Sequence, residues 1–138
     1  MHHPTRSPMH HIWIFIGGGL GAVARVALAN AVTRRVGDSF PWGILSVNLI
    51  GSLAIGWIAA VVGSAHPRMP VDSEMRSFLM LGLLGGFTTF SSFSYQTMEM
   101  LRAGEWLKAG GNVIASVSLC LAGAWLGGVG ARLLAQGN

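Results

Sequence analysis

The chain has 138 residues, 51% of them hydrophobic and only 10% charged, with a formal net charge of +4. Soluble domains carry about a quarter charged residues, so this composition, with a mean hydropathy of +0.54, points to lipid as the solvent. The length limits the chain to one domain; the basic residues, scattered between apolar runs, form no patch for nucleic acid; and a single cysteine, Cys120, excludes an internal disulfide framework.

The opening "MHHPTRSP" reads as a short exposed tail, and His2, His3, His10 and His11 in and beside it read as incidental rather than metal-binding. His66 stands in a loop with nothing to single it out. The first apolar run, 12–32, is too long for the h-region of a signal peptide and carries one charge, Arg25. Further uncharged runs cover 42–62, 78–98 and 109–131. About 20 residues suffice to cross a hydrocarbon core of ~30 Å, and backbone in lipid must bond within itself, so each run is expected to be a helix. All five prolines (Pro4, Pro8, Pro41, Pro67 and Pro70) fall outside these spans. Trp13, Trp42 and Trp106 fall near span ends, where interfacial tryptophans belong. The connections are short, so the expected architecture is an antiparallel bundle of four transmembrane helices forming one domain.

With four spans both termini lie on one side of the membrane. That side carries Arg6, Arg68, Arg76 and Arg132; the other carries Arg34, Arg35, Arg102 and Lys108. Orientation normally follows a Lys/Arg excess on the cytoplasmic face, and here the two faces tie. Either subtler features orient the chain, or it inserts both ways round. In the second case the natural assembly is an isologous dimer of oppositely oriented copies. Gly17 with Gly21, Gly82 with Gly86, and Gly123 with Gly127 have GxxxG spacing, which lets helices approach closely in lipid. The spacing alone serves packing within a chain and between chains equally well.

Polar residues within spans are expensive and are functional or paired. The second span holds Ser46, Asn48 and Ser52; the Asn48 amide can bond a ligand or a neighbouring helix, and its depth favours the ligand. Arg25 keeps its charge in any environment and can cap a helix end, face an interface, snorkel or touch a permeating ion. Asn112, Ser116 and Cys120, four apart, share one helix face, either lining a path or bonding neighbouring helices.

The third span contains "GGFTTFSSFS", residues 85–94. Gly85, Gly86, Thr88 and Thr89 are poor helix formers, and a break over Gly85–Thr89 would free backbone groups to line a cavity or bind an ion. Free carbonyls suit a hard cation such as sodium. Phe90 and Phe93 share a face beside Thr89, Ser92 and Gln96. Hydroxyl and amide donors can replace the waters of an anion, and the positive ring edge of a phenyl group can face one without holding it tightly. A small, strongly hydrated anion fits such a path.

"GGGLGAVAR" (Gly17–Arg25), "GILSVNLIGS" (Gly43–Ser52) and "GLLGGFTTFSSFS" (Gly82–Ser94) together resemble the fluoride channel family known as Fluc or CrcB, over essentially 12–134. The resemblance implies a passive fluoride-selective channel of the bacterial inner membrane that exports cytoplasmic fluoride. It also implies a dual-topology antiparallel homodimer with two pores and a structural sodium ion (Na+) at its centre. By position, the pore residues would be Phe90, Phe93 and Asn48, with Thr89, Ser92 and Ser116 along a polar track. The sodium would be held by the carbonyls of Gly85 and Thr88 and the same two from the second copy, and Arg25 matches the family's first-helix arginine. Gln96 stands where many relatives have glutamate, Asn112 and Cys120 where tyrosine and serine are frequent, and Phe87 where leucine is frequent.

Three other functions compete. A small dual-topology proton-coupled multidrug-type transporter needs a membrane carboxylate, yet Asp38, Asp72 and Glu105 lie in loops and Glu99 at a span end. "IWIFIGGGLGA" imitates a dinucleotide fingerprint, but no soluble βαβ unit surrounds it, so the chain is not expected to be an enzyme. A structural membrane subunit without transport activity is the third.

Overall fold

The computed structural model describes residues 8–62 and 72–136. The expectations for Pro4, Pro67, Pro70, Arg6, Arg68, His2, His3 and His66 lie outside the described residues. Four helical stretches are long and apolar enough to cross a membrane: Met9–Val36, Trp42–Val62, Ser73–Arg102 and Trp106–Leu134. All but the second run past the spans expected from hydropathy, because helical hydrogen bonding continues through residues too polar to mark lipid.

Helix α1 covers Pro8–Val36 and α2 covers Trp42–Val62. Gly37, at φ 93°, ends α1 by turning its N–H onto the Thr33 carbonyl at 2.8 Å. This left-handed geometry suits a residue without a Cβ. The third span is composite. Asp72 accepts from the Met75 N–H at 2.7 Å and opens a short α3, Ser73–Arg76. A π-helical stretch, Ser77–Leu84, follows, then a single turn α4, Gly85–Phe87. After two extended residues, Thr88 and Thr89, α5 runs over Phe90–Arg102. Gly104, at φ 76°, closes α5: its N–H reaches the Leu101 carbonyl at 3.1 Å and that of Glu105 reaches Met100 at 2.9 Å, a Schellman turn. Helix α6, Trp106–Gln136, returns across the bundle.

The break is therefore narrower than expected. Gly85 and Gly86 remain helical, and the extended backbone begins at Thr88, with φ −82° and ψ 156°. Close packing explains the helical glycines. A Cβ on Gly86 would collide with the carbonyl of Gly18, and one on Gly82 would sit 3.0 Å from the Gly17 Cα. Gly17 in turn faces the Phe78 carbonyl and the Leu83 N–H, while Gly21 faces Leu83 and Phe87. The first two GxxxG pairs thus press α1 against the first half of the third span. The third pair, Gly123 and Gly127, lets α6 approach Leu49, Leu53 and Trp57 of α2. All three pairs pack within the chain, which settles a choice their spacing had left open.

Helix α2 packs along α6, and α1 along the π-helical stretch; α5 joins the bundle chiefly through α6. Apolar side chains such as Phe15, Leu20, Val23 and Leu121 point outward, as a lipid-facing surface requires.

Gly21→Ala is expected to lower the thermal unfolding midpoint in detergent, at a cost of about 1–3 kcal/mol for overpacking. Gly110→Ala, whose Cβ would meet nothing within 4 Å, is expected to leave the midpoint unchanged or raise it slightly, since alanine favours a helix over glycine by up to about 1 kcal/mol.

Candidate ion-conducting site

An extended pair of residues in the middle of a membrane helix strands backbone groups that no water can reach. Asn48, facing the break from α2, supplies partners. Its Nδ2 donates to the Thr89 carbonyl at 3.0 Å, and its Oδ1 accepts from the Thr89 N–H at 2.8 Å. The side-chain amide thus replaces one peptide unit of the helical ladder. Gly51, one turn further along α2, makes room for the break: its missing Cβ would strike the Thr88 methyl and lie 3.3 Å from the Phe87 ring.

The Thr89 side chain caps the new helix. Its Oγ1 accepts from the Ser92 N–H at 3.2 Å and lies 3.1 Å from the Oγ of both Ser91 and Ser92. Thr88 folds its own hydroxyl back to the Leu84 carbonyl at 2.9 Å. Because the Thr89 N–H belongs to Asn48, the Gly85 carbonyl loses the donor that an unbroken helix would bring to it.

Two cavities lie near this break. The first, of about 440 Å³, is open on one side, and its wall includes Asn48, Gly85, Thr88, Thr89, Phe90, Phe93, Ser116 and Cys120. Among the described residues, no charged one lines it. The second, of about 350 Å³, is bordered by Arg25, Asn30, Thr33, Asp38, Ser92 and Gln96. Thr89 belongs to the first and Ser92 to the second, so the hydroxyl contact between them lies in the protein that separates the two. The Oε1 of Gln96 is buried without a hydrogen-bond partner.

Of the residues singled out from sequence, Asn48, Gly85, Thr88, Thr89, Phe90, Phe93 and Ser116 share the first cavity, while Ser92 and Arg25 border the second. The two phenylalanines make a tilted pair with ring centroids 5.3 Å apart, yet their settings differ. Phe93 is 8% exposed and Phe90 77%, so one ring is fixed in the bundle and the other stands on its surface. The fourth-helix stripe divides. Ser116 and Cys120 face the cavity, whereas Asn112, 1% exposed, donates to the Thr97 hydroxyl at 2.8 Å. Sequence reasoning passed over Thr97, because its pairing with a residue 15 positions away exists only once α5 and α6 pack.

Four apolar helices and an uncharged, aromatic-walled cavity at a helix break define a multi-pass membrane protein built to handle a small ligand within the bilayer. A family model described as CrcB-like protein, Camphor Resistance (CrcB), matches residues 12–128, and the chain belongs to that family. It is 50% identical over 121 residues to a protein of Opitutus terrae, covering 88% of this chain and 91% of the relative. It is 45% identical over 128 residues to one of Methylocella silvestris, covering 93% and 97%, and 47% identical over 121 residues to one of Geobacter sulfurreducens, covering 88% and 95%. Each of these relatives is named "Fluoride-specific ion channel FluC".

Asn48→Asp turns a carboxylate oxygen onto the Thr89 carbonyl and removes the donor between them. The expected result is faster hydrogen exchange at the Thr89 amide and a loss of about 1–3 kcal/mol in stability, read by exchange mass spectrometry and thermal unfolding in detergent.

Proposed function

We propose that this chain is a passive fluoride-selective channel through which cytoplasmic fluoride leaves the cell. One observation carries the reading: relatives named fluoride-specific ion channels match about nine-tenths of the chain at 45–50% identity, and the matched family range contains every residue of the uncharged cavity. Hydrogen fluoride crosses membranes as a neutral acid and dissociates inside. A pore then suffices for export, because an inside-negative potential drives the anion outward by about 2.3 kcal/mol per charge per 100 mV. No enzymatic chemistry is called for.

The fluoride enters through the cavity of Arg25, Asn30 and Gln96, which Asp38 also borders, and the Arg25 guanidinium and the two amides supply the donors that meet it there. Hydroxyls of Ser92 and Thr89 take over from its waters at the break, and it continues past the ring edges of Phe90 and Phe93 and the Ser116 hydroxyl. Neutral donors and ring edges hold an anion strongly enough to admit it and weakly enough to release it. A fixed lysine in the same place would trap it.

The working unit is an antiparallel homodimer with two pores. Three observations support it: the tied count of arginine plus lysine, an open cavity, and Phe90 standing 77% exposed. A second copy closes that cavity. At the dimer centre the carbonyls of Gly85 and Thr88, with the same pair from the second copy, hold a structural sodium. The Gly85 carbonyl, lacking its helical donor, suits a hard cation by its chemistry. When bound, the ion neutralises converging carbonyl dipoles and ties the two breaks together.

A proton-coupled transporter is disfavoured by the acids. Glu99 pairs with Arg102 and Glu105 with Lys108, each at 2.7 Å on exposed surface. Asp72 caps α3, Asp38 borders the second cavity from the loop between α1 and α2, and among the described residues no acidic one lines the first cavity at the break.

Fluoride efflux from proteoliposomes is expected for the wild type, with loss or strong slowing in Phe90→Ile and Phe93→Ile. Undiminished efflux in both variants would overturn the pore assignment. Labelling of the termini in cells is expected to find them on both faces; termini on one face alone would remove the antiparallel dimer.

A further inference from the structure

A hydroxyl has one proton, and in a helix it usually goes to the carbonyl four residues back. Ser77, Thr88, Ser94 and Thr97 all do this, at 2.7 to 2.9 Å. Ser116 does not. Its Oγ donates to the Asn112 side-chain Oδ1, at 3.4 Å. Good O–H···O bonds are about 2.5–3.0 Å long, so this proton is held loosely. Ser116 is also the residue of α6 whose hydroxyl borders the candidate fluoride path.

The direction of that bond is fixed from elsewhere. Thr97 gives its own proton to the Phe93 carbonyl at 2.8 Å, so its Oγ1 is left to accept. It accepts from the Asn112 Nδ2 at 2.8 Å. With its nitrogen committed to Thr97, the amide turns its oxygen to Ser116. The relay runs from Ser116 through Asn112 and Thr97 to the backbone of Phe93, linking the two walls of the cavity. Asn112 is 1% exposed and does not line the cavity itself.

We propose that Asn112 is a positioning residue for fluoride conduction: it keeps the Ser116 proton off the helix backbone in a weak bond from which a passing anion can take it. This rests on the assignment of Ser116 to the fluoride path. A hydrogen bond to an anion is roughly twice as strong as one between neutral groups, so an arriving fluoride draws the O–H towards itself at little cost. When the ion leaves, the proton returns to Oδ1 and the site resets. Without Asn112, the Ser116 hydroxyl falls back on its own i−4 carbonyl, as those of Ser77, Ser94 and Thr97 do, and a firmer bond must break at each passage.

The test is a double-mutant cycle read as fluoride efflux per reconstituted dimer. Asn112→Leu, similar in size and without an acceptor, is expected to slow efflux about ten-fold, the scale of a hydrogen bond to a charged group. In a Ser116→Ala background the same substitution is expected to add no further slowing, because the group it acts through is gone. In a Ser92→Ala background it is expected to keep its full about ten-fold effect. Undiminished efflux in Asn112→Leu, or equal slowing with and without the Ser116 hydroxyl, overturns the proposal while leaving Ser116 in the path. Unchanged efflux in Ser116→Ala alone overturns that assignment and the proposal with it. Should Asn112→Leu elute as aggregate, Asn112→Ala, which adds no bulk, completes the same cycle.

Discussion

The structure depends on a pair of hydrogen bonds that let a helix stop and restart inside a membrane. Lipid offers no partner to a stranded N–H or carbonyl, and each one left unsatisfied costs several kcal/mol. The Asn48 amide supplies one donor and one acceptor to Thr89, the same complement as a peptide unit. Thr89 then caps the helix that follows. With both functions met, the extended pair Thr88–Thr89 persists at a depth where continuous helix is otherwise the rule. Gly51, on the same helix as Asn48, completes the fit by leaving space for Thr88 and Phe87.

The uncharged cavity follows from that break. A continuous third helix would keep its carbonyls bonded and point its side chains in one regular spiral. The interruption re-aims the chain, so that Thr89 faces one cavity and Ser92 the other, and the phenylalanine pair stands just beyond. Arg25 and Asp38 border the second cavity, while the wall of the first carries hydroxyls, an amide, rings and aliphatic side chains and, among the described residues, no charge. This chemistry suits a small anion that must shed water without being trapped, since neutral donors recover part of the hydration energy and none of the depth of an ion pair. The relay from Phe93 through Thr97 and Asn112 to Ser116 extends the logic into the protein behind the cavity. Donors that face an ion need a second layer that sets where their protons rest.

The glycines explain why such a small protein can hold this arrangement rigidly. Close contacts of Gly17 and Gly21 with the third span, and of Gly123 and Gly127 with α2, seat the two halves of the bundle backbone against backbone. Within lipid this packing, not a hydrophobic gradient, provides the association between helices. The composite third span is clamped on its first half by α1, while α5 leans on α6. The break thus lies between two separately anchored segments.

Sequence by itself determined the membrane class, the number of spans, the interruption in the third and the set of residues around it. Each of these is a local property: hydropathy over about 20 residues, the weak helix preference of glycine and threonine, and the cost of a hydroxyl or amide in lipid. Tertiary structure decided the rest. That Gly86 lies backbone to backbone with Gly18 follows from α1 packing there; that Asn48 bonds Thr89 follows from α2 standing opposite the break. Phe93 is enclosed and Phe90 exposed because of the way α5 seats in the bundle, and Asn112 leaves the cavity wall because Thr97 waits behind it. Every one of these outcomes joins residues distant in the chain, and hydrogen-bond direction and close contact exist only between groups that folding has brought within a few ångströms of each other.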